Sequence, residues 1–193
     1  MKFIAIIFLS LFVQNSFAQL ISLGKPRMLT RKEEITDSIN HHCIHRNKLN
    51  PIERLNNFPF NKAIEIRIVS FKKLYAIGST LPMKNKSVDL AKLKESVSLR
   101  KIQIDSLTDI LYNTGYKGKF YSFEEGCYEP RNAILFIDSA GKPFAFIELC
   151  FQCGGFRLSS KNVKAGQFCI EKYELLKSFF SKNKIKYGTE YTE

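Results

Sequence analysis

The densest apolar pattern in this chain lies at Asn132–Asp138 and Pro143–Phe151, two runs rich in Ile, Leu, Phe and Ala. Between them stands Ser139-Ala140-Gly141, preceded by Asp138. That order predicts two strands joined by a type I turn with a glycine in the left-handed region. Asp hydrogen-bonds the turn backbone, and Gly takes positive φ without a Cβ penalty. Counting outward from Asp138 opposite Lys142 pairs Phe136 with Phe144, Ile134 with Phe146, and Asn132 with Glu148. With a side-chain period of two, Ala133, Leu135, Ile137, Ala145, Ile147 and Leu149 share one face. Ile134, Phe136, Phe144, Phe146 and Cys150 share the other. Both faces are apolar, so the hairpin is expected at the centre of a sheet covered on each side. Cys127 faces Cys153 in this register, and a one-residue bulge would bring in Cys150 instead.

The remaining pattern supplies the flanking elements. Ile64, Ile66 and Ile68 alternate with Glu65, Arg67 and Ser70, predicting a strand over 63–71 with one wet face. Leu74–Ile77 either extends it or forms a second short strand. A further strand is expected near Ser96–Leu99, another at Lys119–Phe123, and one at Gly155–Ser159. Helical spacing of Ile104, Leu107, Ile110 and Leu111 predicts a helix from Lys101 to Asn113, ended by Gly115. Cys169–Lys182 reads as a closing helix with Tyr173, Leu176 and Phe180 inward, and Ile185–Glu193 as a frayed or edge segment. Thr30-Arg31-Lys32-Glu33 has capping-box spacing and predicts a peripheral helix to about Asn47, with a narrow stripe of Ile35, Ile39 and Cys43. Asn56–Asn61 and Gly78–Ser87 read as loops. These elements predict an α+β fold: an antiparallel sheet with a central hairpin at about 132–151 and two or three packing helices.

The start of the chain adds a compartment. Met1-Lys2-Phe3 precedes the apolar run Ile4–Val13, and Ser16-Phe17-Ala18 places small residues where a signal peptidase cuts, before Gln19. The run is too short to span a membrane, and no cysteine follows closely for lipid attachment. The expected division is a signal peptide at 1–18, a helical lead-in at 19–60 and one α+β domain at 61–193. Release into a periplasm or the exterior follows. The formal charge is +12, and removal of Lys2 leaves +11. Such a surface attracts an anionic envelope polymer or an acidic protein, whereas export argues against nucleic acid.

Three chemistries compete for the five cysteines. Cys127, Cys150 and Cys153 suit a structural disulfide in an oxidising compartment, and Cys43 with Cys169 could tie the first helix to the last. Cys150-x-x-Cys153 also has the spacing of a metal knuckle or a redox pair. All three histidines lie in His41-His42-Cys43-Ile44-His45. On a helix His41 and His45 would be one turn apart, so His41, His42, Cys43 and His45 form a candidate zinc or copper site. Glu148 is expected on a mostly apolar face near Cys150, where pairing with Arg131 or another base is needed to neutralise it. The chain lacks G-x-S-x-G, P-loop, G-x-G-x-x-G and H-E-x-x-H patterns, and no triad is evident.

Gly126-Cys127-Tyr128-Glu129-Pro130-Arg131-Asn132-Ala133-Ile134 and Ile147-Glu148-Leu149-Cys150-Phe151-Gln152-Cys153 resemble segments of small exported bacterial proteins that carry no assigned activity. The resemblance extends from Leu107 to Tyr187 and includes Ile110-Leu111-Tyr112-Asn113. It implies one domain and no mechanism. The expected function is a non-catalytic binding or interaction protein outside the cytoplasm, with metal binding or thiol–disulfide exchange as the alternatives.

Overall fold

The computed structural model describes residues 28–72, 80–117 and 128–191, with side chains left undescribed at 37, 40 and 41. The strands expected at Leu74–Ile77 and Lys119–Phe123 fall outside these residues, as do Cys127 and the expected signal peptide at 1–18. Arg31–Glu193 form one compact unit.

Along the chain run α1 (Arg31–His41), β1 (Cys43–His45), α2 (Pro51–Leu55), β2 (Glu65–Phe71), β3 (Met83–Lys84), β4 (Ser87–Val88) and β5 (Leu93–Ser98). Then follow α3 (Lys101–Tyr112), β6 (Thr114–Tyr116), β7 (Asn132–Ile137), β8 (Pro143–Cys150), β9 (Gly155–Leu158) and α4 (Ile170–Lys182). The fold is α+β. A five-stranded sheet has the order β5-β2-β7-β8-β9 with every pairing antiparallel. Two small antiparallel pairs, β1 with β6 and β3 with β4, stand outside it.

The hairpin forms with the expected turn. Gly141 has φ +74°, its N–H donates to Asp138 O at 3.1 Å, and Asp138 Oδ1 accepts from the N–H groups of Ala140 and Lys142 at 2.9 Å each. The register differs from the expected one by one residue. Asn132 faces Leu149, Ile134 faces Ile147, Leu135 faces Phe146 and Phe136 faces Ala145, whereas Ile137 faces Pro143. Phe144 is the extra residue, bulged out beside Phe58 with ring centroids 6.0 Å apart. One inserted residue rotates every later side chain of β8 to the opposite face. Ala145, Ile147 and Leu149 therefore join Ile134 and Phe136, while Phe146 joins Ala133 and Leu135.

Every residue of β7 is buried. Its first face meets α3 and α4 through Ile68, Leu107, Leu111, Ile134, Phe136, Ile147, Leu176 and Phe180. On the second face Val69, Phe71, Ala133, Leu135 and Phe146 are covered by Leu81 and Val88 of the β3–β4 region. Both coverings follow from the two-sided apolar pattern, since burying such side chains contributes about 1.5–3 kcal/mol each.

Three local expectations need correction. The first helix stops at His41 rather than near Asn47, because Cys43–His45 pairs as a strand with Thr114–Tyr116. A helix stands at Pro51–Leu55 where none was expected. Asn50 caps it, accepting from Ile52 N–H at 3.0 Å and Glu53 N–H at 3.1 Å, while Glu53 Oε2 accepts from Asn50 N–H at 2.7 Å. The segment after α4 does not fray: Ile185 and Tyr187 are buried, and Tyr187 O accepts from the Asn132 amide at 3.0 Å.

Gly141 and Gly166 separate two costs of adding a methyl group. Both have positive φ, but a Cβ on Gly141 would meet nothing within 4 Å, whereas on Gly166 (φ +71°) it would lie 1.9 Å from Leu111 O. Gly141→Ala should cost about 1 kcal/mol of backbone strain. Gly166→Ala should cost about 3 kcal/mol or more, since the packed end of α3 must also move. Urea unfolding of the two variants checks the contrast.

Candidate functional site

The buried polar chemistry of the molecule centres on Glu148. The bulge in β8 places it beside Ala133 on the second face, where its side chain is fully buried. Arg157 of β9, directly opposite, donates from Nε to Glu148 Oε1 and from Nη2 to Oε2, both at 2.9 Å. Tyr128 donates its hydroxyl to Oε1 at 3.0 Å, and Leu81 N–H donates to Oε2 at 2.5 Å. The carboxylate thus accepts four bonds. Burial and the neighbouring Glu148 push the Tyr128 hydroxyl far above its ordinary value, and hydrogen bonding to Glu148 pushes the Arg157 guanidinium up. A saturated carboxylate, a permanent cation and a hydroxyl that keeps its proton form a fixed strut rather than a proton-transfer centre. The base that neutralises Glu148 is Arg157. Arg131 instead reaches Gln152 Oε1 at 3.2 Å and Glu129 O at 3.4 Å, and its buried Nε has no hydrogen-bond partner.

The cysteines separate into distinct environments. Cys43 and Cys169 form a disulfide with Cα atoms 5.6 Å apart, fastening β1 to the start of α4. Cys150 is a buried free thiol, and Cys153 is disulfide-bonded. Cys150 and Cys153 are therefore not joined to each other. The facing of Cys127 with Cys153 lies outside the described residues.

The histidine cluster is divided by the end of α1. His42 Nδ1 sits 2.7 Å from Glu171 Oε1, and Glu171 Oε2 accepts from Cys43 N–H at 2.7 Å. His45 Nε2 lies 3.5 Å from Asp109 Oδ1. These contacts, with Cys43 bonded to Cys169, brace the helix ends. His41 and His45 do not share a helix face, because the strand begins between them. Among the described residues no group of three or more His, Cys, Asp or Glu side chains is placed to hold a metal ion.

An open groove of about 940 Å³ lies at one end of the sheet, a feature that the sequence pattern did not point to. Its walls come from α2 and the following turn (Leu55, Phe60, Ile64), from Ile66 of β2, and from Leu99, Ile102 and Ile104 at the start of α3. Arg54 fixes the position of α2 against α3. Its buried guanidinium donates to Leu49 O at 2.7 Å, to Thr108 Oγ1 at 3.2 Å and to Asp105, so α2 is tied to α3 by charge-assisted bonds. Ile64 is 75% exposed and Ile102 66% exposed, large apolar side chains left open at the groove. The volume lies within the range of small-molecule sites, and the lining is mostly apolar as such sites are. One signal for it was legible: Asn50-Pro51-Ile52-Glu53 is a helix start, and that helix forms a wall.

No protein-family model, curated protein or solved structure matches this chain.

One further buried group bears on stability. Lys172 is fully buried, with Nζ donating to Leu111 O at 2.8 Å and to Gln167 O. It satisfies a terminal carbonyl of α3, and burial pushes its ammonium down to about 7. The unfolded chain keeps that proton to about pH 10.4 and so binds more protons than the folded one between these values. Stability from this group therefore rises as pH rises above 7, and the penalty is present in full below it. Lys172→Met, compared with the parent by urea unfolding from pH 7 to 9.5, should lack this rise, so the stability difference should move in the parent's favour as pH increases.

The Glu148 strut predicts an asymmetry. Arg157 is 41% exposed in its side chain and can rehydrate if Glu148 is lost, whereas Glu148 at 0% cannot. Arg157→Ala should cost about 3–5 kcal/mol, the usual cost of an uncompensated buried charge, and Glu148→Gln clearly less. Equal losses in denaturant titrations would refute the strut.

Proposed function

We propose that the chain is an exported, non-catalytic binding protein of the cell envelope or exterior whose binding site is the groove between α2, the start of β2 and α3. The groove carries this reading. Open apolar surface at Ile64 and Ile102 is costly to leave in water, and Arg54 ties α2 to α3 so that the groove keeps a fixed frame. The groove offers shape and apolar area, and the acids in its lining, Glu65 and Asp105, are each paired with an arginine. The Cys43–Cys169 disulfide and the leader-like start support an oxidising compartment. Among the described residues no helix is long and apolar enough to cross a membrane. The positive balance favours anionic partners at the same surface.

A neutral naphthylamine probe should bind saturably, with its fluorescence rising on transfer from water. Ile64→Asp should weaken it at least tenfold while shifting unfolding stability by no more than about 0.5 kcal/mol, because the side chain is mostly solvated. Unsaturable binding, or binding indifferent to this substitution, would remove the groove from the reading.

A further inference from the structure

The charges around the groove narrow its ligand. Both carboxylates in the lining are already neutralised. Asp105 is paired with the buried Arg54, and Glu65 is bridged by Arg67 Nε at 2.7 Å, a contact that holds the Glu65 carboxyl below its ordinary value. Lys101, in the first turn of α3, lines the same groove and makes no ion pair with any described residue. The groove therefore presents one uncompensated cation beside an apolar floor, on a chain whose overall balance is +12.

The floor itself is branched and aliphatic. Leu55, Ile64, Ile66, Leu99 and Ile102 supply it. The one aromatic ring, Phe60, is buried and engaged edge-on with Tyr112 at 5.8 Å and Phe136 at 4.8 Å between centroids. Its face is thus not offered as a stacking platform, and a flat aromatic ligand gains little here. A flexible hydrocarbon chain gains from contact with aliphatic walls roughly in proportion to the area it buries.

We infer that the groove takes a single-chain anionic amphiphile, a long-chain carboxylate with its hydrocarbon on the Ile64–Ile66–Ile102 floor and its head beside Lys101. This rests on the groove being a binding site, and adds the chemistry of the occupant. The Lys101 contact is partly solvated, so it accounts for a modest share of affinity, about fivefold. The apolar floor supplies the rest. The lysine distinguishes a carboxylate from an alcohol of the same length.

Titration calorimetry of the leaderless full domain with dodecanoate and with dodecanol, on the parent, Lys101→Met and Ile64→Asp, tests this. The expected result is dodecanoate about fivefold tighter than dodecanol on the parent, equal affinities on Lys101→Met, and both lost on Ile64→Asp. Equal affinities on the parent, unmoved by Lys101→Met, would overturn the anionic head while leaving the groove as an apolar site. Binding of neither ligand to folded protein would overturn the inference, and loss of the naphthylamine signal as well would remove the binding reading beneath it. A dimer that Ile64→Asp converts to monomer would assign the groove to a second copy and end the proposal.

Discussion

The central strand β7 has no wet side, and the rest of the molecule follows from that constraint. Six consecutive buried residues require cover above and below, and a strand in mid-sheet requires partners on both edges. The helices α3 and α4 supply one cover, and the β3–β4 region with Leu81 the other. Within that frame a single bulge at Phe144 decides which side chains of β8 point where. Without it Glu148 would face the helices. With it Glu148 faces Arg157 and Tyr128, where its charge is fully matched.

The groove is a second-order product of the same arrangement. Ile64 and Leu99 stand just beyond the start of β2 and the end of β5, at the margin of the cover that the helices give the sheet. The short α2 supplies part of this cover. At five residues it is too short to persist on propensity, and its capping box and the Arg54 bonds hold it in place. An element held by polar bonds at its ends leaves its apolar side free to form a wall instead of a seal.

The fold class was legible because its signals are local. The turn at Ser139-Ala140-Gly141, the helical spacing of Leu107 and Leu111, and the alternation from Ile64 to Ile68 each specify an element within a dozen residues. The register was not, because a bulge depends on how Phe144 packs against Phe58, far away in sequence. The same distance hid Arg157 as the partner of Glu148, and hid the burial of Lys172 against a carbonyl of α3. The histidine run shows how a local pattern can be divided by long-range pairing. Its clustering is a real sequence feature, but pairing of Cys43–His45 with Thr114–Tyr116 splits it between a helix end and a strand. Of the candidate site, only the start of α2 left a trace in the sequence, since a groove is defined by what does not fill it.

The Cys43–Cys169 bond joins residues 126 positions apart and so closes most of the domain into a covalent ring. A protease that clips one exposed loop anywhere inside this ring opens it without releasing either piece. The sheet strands, all contained between the two sulfurs, stay tethered at roughly millimolar effective concentration and can re-pair. The sulfur link thus turns a first cut from a fatal event into a tolerable wound.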